Sequence, residues 1–247
     1  MNASLQHAWR AARDVVFPPT CVSCLAVVEQ EDGHFLRHVC AKCAQQMHVV
    51  GPPHCTTCGH PFFGEAAVNR LCEHCEALVP NFGEGKTAIL LKGPGRAVVH
   101  ALKYHQGLHV LEDIVVLMRR APGYTDFVRG RTIVPVPLHT RKLRERGYNQ
   151  SRLLAECALQ AVDGEARIEE LLVRVVDTVS QTQFDRATRQ QNLKNAFALA
   201  PGAVITPGHH YLLIDDVFTT GSTLNACAAV LRDAGALNLD VVTFGHG

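Results

Sequence analysis

The sequence predicts an α/β protein, a mostly parallel sheet flanked by helices, preceded by a small cysteine-rich module. Four Cys-x-x-Cys pairs lie before residue 76. From Lys86 onward, strand-like apolar runs alternate with helix-like segments, as in parallel sheets. One buried run near residue 211 leads into two acids, several hydroxyl residues and a helix. We therefore divide the chain into an N-terminal module, residues 1–81, and an α/β domain, residues 82–247.

The bulk composition is that of a packed protein without a strong overall electrostatic field. The chain has 247 residues, is 47% hydrophobic and carries a formal net charge of +1. This charge gives no reason to expect a nucleic-acid or membrane partner. We find no apolar run of about 18 residues and no secretory signal, so we expect a cytoplasmic location without a transmembrane segment. Residues 1–17 are predicted to form a short amphipathic helix that ends at Pro18.

The regular cysteine spacing indicates metal binding. In a reducing compartment such pairs are typical of zinc sites rather than disulfides. Zn²⁺ takes four thiolates in a tetrahedron, so eight cysteines suit two closed structural sites. The predicted ligands are Cys21, Cys24, Cys40, Cys43, Cys55, Cys58, Cys72 and Cys75.

The arrangement of these ligands stays open at this point. Sequential pairing gives one site from Cys21 to Cys43 and another from Cys55 to Cys75, whereas interleaved pairing would mix the two groups. Nearby histidines are alternative ligands, and redox cycling is a weaker interpretation of the pairs. The two other cysteines, Cys157 and Cys227, lie at apolar positions of predicted helices and are expected to be buried.

The α/β domain is predicted from apolar periodicity and from glycine and proline stops. The predicted strands cover residues 87–91, 132–136, 171–176, 211–214 and 239–244. The predicted helices cover residues 96–104, 108–120, 149–161, 185–193 and 222–234.

The stretch from Tyr211 to Thr223 predicts a site for a phosphorylated sugar. Its apolar strand ends in Asp215 and Asp216, followed by a Thr-Thr-Gly-Ser-Thr run and then a helix. A helix N-terminus offers free backbone N–H groups and partial positive charge to a phosphate. Two adjacent carboxylates would repel a bare phosphate, but they suit neighbouring sugar hydroxyls. A capped helix after a buried strand is the simpler alternative.

This stretch resembles the 5-phosphoribosyl-1-pyrophosphate (PRPP) signature of type I phosphoribosyltransferases. The resemblance implies the type I phosphoribosyltransferase fold, with Asp215 and Asp216 as catalytic-site acids holding the ribose 2′ and 3′ hydroxyls. It also implies Mg²⁺ bound with the pyrophosphate, and pentosyl transfer if the protein is an enzyme. The PRPP-binding residues implied here are Val217, Phe218, Thr219, Thr220, Gly221, Ser222 and Thr223.

The combination with a zinc-ribbon module resembles the ComF family of competence proteins, including their GntX-like relatives. The matching stretches are Phe17-Pro18-Pro19-x-Cys21, Leu102-Lys103-Tyr104, Val134-Pro135-Val136-Pro137-Leu138, Arg146-Gly147-Tyr148-Asn149-Gln150 and the polar run from Gln181 to Phe197. Further PRPP contacts implied by the family pattern are Pro137, Leu138, Arg146, Asn149, Gln150 and Arg189. The family implies support of natural transformation through handling of incoming single-stranded DNA. It also implies a DNA-uptake helicase partner at the inner membrane face.

Two polar segments have competing interpretations. The basic run from Arg141 to Arg146 follows a strand end, where it would meet an anion, but a solvated face is equally compatible. Residues 177–192 lack apolar periodicity and suit a mobile flap whose Arg186 and Arg189 close over a ligand. An exposed connecting helix is the alternative.

Three functional hypotheses follow. The first is a ComF-like competence protein that uses a phosphoribosyl site. The second is a metabolic phosphoribosyltransferase acting on a nucleobase or related acceptor, and the third is a non-catalytic PRPP-sensing regulator. Positioning residues are evident, but a base-recognition site is not. Since the sequence stops at Gly247, we expect any cover over a base to come from residues 82–110 or from the zinc module.

Overall fold

The computed structural model describes residues 14, 16–29, 33–64, 68–104, 107–176 and 195–247. The helix predicted within residues 1–17 falls almost wholly outside these ranges. The predicted flap over residues 177–192, with Arg186 and Arg189, also lies outside the described residues.

A five-stranded parallel sheet forms the centre of the protein, in the order β1-β7-β6-β2-β3. A separate antiparallel pair, β4 and β5, lies beside it. The strands are β1 (Gly85–Leu90), β2 (Thr132–Pro135), β3 (Arg167–Ile168), β4 (Leu172–Arg174), β5 (Phe197–Leu199), β6 (His210–Phe218) and β7 (Asn238–His246).

Helices cover both faces of this sheet. Their bounds are α1 (Ala41–Ala44), α2 (Glu73–Glu76), α3 (Pro94–Tyr104), α4 (Leu111–Arg120, preceded by a 3₁₀ turn at Leu108–Val110), α5 (Tyr124–Val128), α6 (Thr140–Arg146), α7 (Gln150–Ala161) and α8 (Ser222–Asp233). One hydrophobic core packs α3, α4, α5 and α7 on one face, and a second core packs α8, β4 and β5 on the other. The predicted fold class, a mostly parallel sheet flanked by helices behind a cysteine-rich module, is confirmed.

The predicted strand over residues 211–214 is longer than its apolar run. β6 continues through Asp215 and Asp216 to Phe218, because β7 supplies a parallel partner along this whole length. Asp215 pairs with Thr243, and Phe218 with His246. The two acids therefore lie on a rigid strand rather than in the loop after it.

Six short elements were absent from the prediction. They are α1, α2, α5, α6, β3 and β5, each seven residues or shorter. Elements this short have too few residues for a periodic apolar signal, so tertiary contacts determine whether they form. In α6, which holds the basic run, all side chains are exposed or half-buried, and the helix begins where His139 accepts a hydrogen bond from the Arg141 N–H.

The two cysteine clusters dock on opposite faces of the sheet. The first packs against α4, where the carboxylate of Asp113 accepts the backbone N–H groups of Arg37 and His38 at 2.6 and 2.8 Å. The second packs against β1, where Gly85 donates to the Thr56 carbonyl at 2.7 Å. Each cluster thus completes a different hydrophobic core.

Candidate functional site

The eight cysteines of the module form two separate groups of four. One group is Cys21, Cys24, Cys40 and Cys43, and the other is Cys55, Cys58, Cys72 and Cys75. Within each group all sulfur atoms lie within 4.8 Å of one another. The structure therefore selects sequential over interleaved pairing.

These sulfur positions fit zinc. Cys24 and Cys40 are 3.7 Å apart at their Sγ atoms, and Cys58 and Cys72 are 3.9 Å apart. A tetrahedron with Zn–S bonds of about 2.3 Å requires sulfur separations of about 3.8 Å. Both groups are thus closed structural zinc sites, since four thiolates leave no open position for substrate. Cys157 and Cys227 are buried apart from these groups, as predicted.

Asp215 and Asp216 stand near the carboxyl end of β6, where parallel sheets bind ligands. Asp215 accepts a hydrogen bond from the Ser151 hydroxyl at 2.9 Å and from the Asp216 backbone N–H at 2.8 Å. Burial, together with the neighbouring charge of Asp216, raises the pKa of Asp215 to about 7. A ligand that donates hydrogen bonds to these two carboxylates would therefore stabilise their ionised forms.

Asp216 is buried, with 6% of its surface exposed. Its Oδ1 forms an ion pair with Lys103 Nζ at 3.0 Å. Its Oδ2 is buried and has no hydrogen-bond partner among the described residues. A buried carboxylate oxygen without a partner is costly, so this atom is ready to accept a hydrogen bond from a ligand.

The loop after β6 turns sharply into α8 at Gly221. This residue has φ +72° and immediately precedes the first turn of α8. A Cβ at Gly221 would lie 2.6 Å from Phe218 Cζ, so only glycine fits. The hydroxyls of Thr220 and Ser222 lie 2.9 Å apart at the N-terminus of α8, where the Ser222 N–H donates to Thr220 Oγ1 at 3.4 Å. Hydroxyls and backbone N–H groups together form a cradle suited to a phosphate.

The second cysteine cluster braces this loop directly. His74, between Cys72 and Cys75, donates from Nε2 to the Thr220 carbonyl at 3.3 Å. Leu78 Cδ2 lies under Gly221, 2.9 Å from where a Cβ would be. The side chain of Asn225 in α8 accepts from the Asn81 N–H at 2.6 Å. These contacts were not predicted, because spacing along the sequence gives no sign that a zinc module touches a loop 146 residues away.

Other residues of the predicted PRPP-binding set make contacts within the protein near the start of α7. Asn149 caps α7 by accepting from the Ser151 N–H at 3.0 Å, and its amide donates to the Val136 carbonyl at 3.0 Å. Arg146 donates to the Gln150 side chain. Pro137 and Leu138 follow β2 and are half-buried beside the strand that pairs with β6. These contacts hold the start of α7 so that Ser151 reaches Asp215.

Two site residues escaped the site prediction. Ser151 has no functional signal in the sequence beyond its place at a helix start, and Lys103 is only part of a stretch that matches the family pattern. Val217 and Phe218, which the resemblance implies as PRPP contacts, are the last two residues of β6. Phe218 is 1% exposed and packs in the core with the second cysteine cluster.

Comparison with known proteins agrees with this architecture. Residues 12–76 match the family described as Double zinc ribbon domain. Competence protein F of Haemophilus influenzae is 39% identical over 109 residues, covering 44% of this chain and 47% of that protein. The chain thus aligns with about half the length of that relative. DNA utilization protein YhgH of Salmonella typhi is 30% identical over 210 residues, covering 82% of this chain and 86% of that protein.

The chain belongs to the ComF family. A more distant relative, Competence protein ComFC of Bacillus subtilis, is 22% identical over 207 residues, covering 80% of this chain and 79% of that protein. Within the described ranges of this ComF-family protein, every helix is too short or too polar to cross a lipid bilayer.

Solved structures similar to this ComF-family protein include a hypoxanthine phosphoribosyltransferase of Staphylococcus aureus. It has a TM-score of 0.32 and 17% identity, covering 54% of this chain and 62% of that chain. The allosteric regulatory enzyme of purine biosynthesis has a TM-score of 0.32 and 18% identity, covering 54% of this chain and 25% of that chain.

Proposed function

We propose that this ComF-family protein binds a 5-phosphoribosyl group, as PRPP or ribose 5-phosphate, at the end of β6. The observation that carries the proposal is the buried Asp216 Oδ2, which has no partner among the described residues and lies on the strand that leads into the Gly221 cradle. A ribose diol donates to Asp215 and Asp216, while its 5′-phosphate accepts from the loop. One ligand thereby supplies hydrogen-bond donors to the two carboxylates and an anion to the loop.

The proposed roles of individual residues follow from these positions. Thr219, Thr220, Gly221, Ser222 and Thr223 hold the phosphate through hydroxyls and N–H groups. Ser151 and Lys103 keep the two carboxylates in place. With PRPP, Mg²⁺ would neutralise the pyrophosphate charge, and carboxylate oxygens are ligands that Mg²⁺ accepts.

A binding titration with Asp216→Asn tests the proposal. Isothermal titration of ribose 5-phosphate, and of PRPP with Mg²⁺, should give saturable binding to the wild type. Asp216→Asn should weaken binding at least about tenfold, because a charged hydrogen bond contributes about 1.5–3 kcal/mol. The exposed Asp126→Asn in α5 is the control and should bind like the wild type. If neither ligand binds the zinc-loaded wild type, the proposal is wrong.

We further propose that the phosphoribosyl site serves natural transformation, through handling of incoming single-stranded DNA. Support comes from the names of the relatives, which are a competence protein and a DNA utilization protein. A DNA-uptake helicase at the inner membrane face is the proposed partner, and the cytoplasm the proposed location. A transformation assay with Asp215→Asn/Asp216→Asn, beside a zinc-ligand variant, separates the two parts of the protein. Full transformation by the double variant would disconnect the site from this role.

Direct contact with DNA has its own test. Binding of a labelled single-stranded oligonucleotide should weaken linearly with the logarithm of salt concentration, because neutralised phosphates release counterions. No binding at low salt would rule out a direct role for this chain.

Turnover is separable from binding. If the protein is a pentosyltransferase, it releases pyrophosphate from PRPP and Mg²⁺ in the presence of one member of a nucleobase panel. Binding without release across the panel would favour the sensing role.

A further inference from the structure

Lys103 places a positive charge beside the two carboxylates of the proposed site. It lies in the last turn of α3, and its Nζ is 3.0 Å from Asp216 Oδ1. The Lys103 side chain is 23% exposed and that of Asp216 is 8% exposed, so salt and water screen the pair weakly. The Lys103 charge also acts on Asp215, where it opposes the rise in pKa that burial causes. One ammonium group thus compensates charge on both carboxylates.

Contacts on either side of Lys103 hold it in this position. The Tyr148 hydroxyl donates to the carbonyl oxygen of Leu102. The Arg146 guanidinium lies 5.8 Å from the ring centroid of Tyr104. Burial raises the pKa of Tyr148, so its hydroxyl stays protonated and remains a donor at neutral pH. The end of α3 is therefore fixed to the segment that joins α6 and α7, which limits where the Lys103 side chain can go.

A divalent cation at these carboxylates would compete with Lys103. Asp215 Oδ1 already accepts hydrogen bonds from the Ser151 hydroxyl at 2.9 Å and from the Asp216 N–H at 2.8 Å. Asp216 Oδ1 faces the lysine ammonium. Mg²⁺ requires near-octahedral oxygen ligands and usually keeps several waters. Bound to Asp216, it would also lie next to the ammonium, and the two positive charges would repel each other.

A sugar hydroxyl meets no such repulsion. It is neutral and donates a single hydrogen bond. Asp216 Oδ2, which is buried and has no partner among the described residues, can accept that bond while Oδ1 keeps its ion pair with Lys103. The charge of Lys103 therefore distinguishes between the two kinds of ligand that a pair of carboxylates attracts.

We propose that Lys103 is a specificity-determining residue, which reserves the Asp215–Asp216 pair for hydroxyl donors and prevents it from binding a divalent cation when no ligand is present. Mg²⁺ then enters the site together with the pyrophosphate of PRPP. The inference deepens the proposed phosphoribosyl site, on which the role of Lys103 in sugar binding rests. The exclusion of metal belongs to the ligand-free protein and is measured without a sugar.

Mn²⁺ is the probe, because it takes octahedral oxygen ligands as Mg²⁺ does, and its electron paramagnetic resonance signal reports the free ion. It is titrated into the full zinc-loaded chain without ligand. Lys103→Met should bind Mn²⁺ at least about tenfold more tightly than the wild type, since one neighbouring charge changes the proton affinity of a carboxylate by about tenfold or more. Lys103→Arg keeps the charge and should behave like the wild type.

Three further variants locate the gained metal and control for the substitution. Asp216→Asn in the Lys103→Met background should abolish the gain, because the metal loses its charged ligand. Lys92→Met removes an exposed lysine whose Nζ lies 5.7 Å from the Phe63 ring centroid, and it should leave Mn²⁺ binding unchanged. If Lys103→Met does not fold, Lys103→Gln replaces it, since an amide donates to Asp216 without a charge. Zinc content is measured for every variant.

Ribose 5-phosphate provides a second measurement. Millimolar Mg²⁺ should weaken its binding to Lys103→Met, where the metal competes for Asp216. The same Mg²⁺ should leave its affinity for the wild type unchanged, because Lys103 keeps the metal away.

The outcomes separate the two proposals. Mn²⁺ binding to the ligand-free wild type that is lost in Asp216→Asn would overturn the role of Lys103. Equal Mn²⁺ affinities of the wild type, Lys103→Met and Lys103→Gln would overturn it as well. If ribose 5-phosphate does not bind the wild type, the phosphoribosyl site is wrong, while the Mn²⁺ comparison still decides whether Lys103 excludes metal.

Discussion

His74 Nε2 donates a hydrogen bond to the carbonyl oxygen of Thr220 at 3.3 Å. His74 lies between two cysteines of the second zinc site, and Thr220 lies in the proposed phosphate cradle. The contact makes this zinc site part of the support of the cradle. The first zinc site packs instead in the core that contains α4.

The two zinc sites should therefore differ in their effect on ligand binding. Cys72→Ser and Cys40→Ser form a matched pair, because both residues are half-buried ligands. Each variant should lose about one zinc equivalent. Cys72→Ser should weaken ribose 5-phosphate binding at least about tenfold, whereas Cys40→Ser should change it less than about twofold. Calorimetry with metal analysis measures both effects, and equal losses of affinity would contradict the proposed support.

Zinc stoichiometry gives a second prediction. Purified wild-type protein should contain about two zinc equivalents per chain, one for each group of four thiolates. Cys157→Ala should keep both, because this buried residue lies outside the two groups. Elemental analysis of the two proteins is the measurement. A single equivalent in the wild type would mean that only one of the groups holds metal.

Substitution of Gly221 should destabilise the protein more than substitution of another glycine with positive φ. Gly221→Ala brings a Cβ within 2.6 Å of Phe218 Cζ and 2.9 Å of Leu78 Cδ2. Gly235, with φ +101°, has open space around its Cβ position. Gly235→Ala should cost about 1–2 kcal/mol from backbone strain. Gly221→Ala should cost a further 1–3 kcal/mol, roughly, from overpacking.

Urea denaturation of both alanine variants measures the free energy of unfolding. Similar losses in the two proteins would show that the close packing of Phe218 and Leu78 under the turn relaxes without cost.

Asp215 should make the free energy of unfolding depend on pH. Burial and the charge of Asp216 raise the pKa of Asp215 to about 7 in the folded protein, above its ordinary value of 3.8. Its stabilising contribution is thus fully present below about pH 4 and is lost as the pH rises through 7. Asp215→Asn cannot ionise, so its stability relative to the wild type should increase between pH 5.5 and 8, by at least about 1 kcal/mol.

Urea denaturation at both pH values, without ligand, measures this difference. Asp126→Asn, at an exposed position, reports the effect of removing a surface charge alone. A relative stability of Asp215→Asn that is constant or falls with pH would contradict the assignment.

Some features followed from local sequence. The Cys-x-x-Cys spacing predicted two sets of four ligands, and the run from Tyr211 to Thr223 predicted a strand, a turn and a helix. These signals are local, because each depends on residues within about one turn or one strand of each other. The long helices α4 and α7 were found for the same reason, since their apolar residues repeat with the helical period.

Other features needed contacts between distant segments. The length of β6 depends on its pairing with β7, and the environment of Asp216 depends on Lys103 from α3. The pairing of the cysteines depends on how the two halves of each cluster fold back on each other. Local periodicity contains no information on any of these contacts.

The sequence by itself thus determined the α/β class, the eight zinc ligands and the identity of the carboxylates and hydroxyls of the proposed site. Only the tertiary structure decided that His74 and Leu78 of the second zinc ribbon contact the Thr220–Gly221 turn. The physical reason is that residue types and spacing set local chemistry. The packing of the ribbon on the sheet is fixed instead by burial of apolar surface shared between segments far apart in the chain.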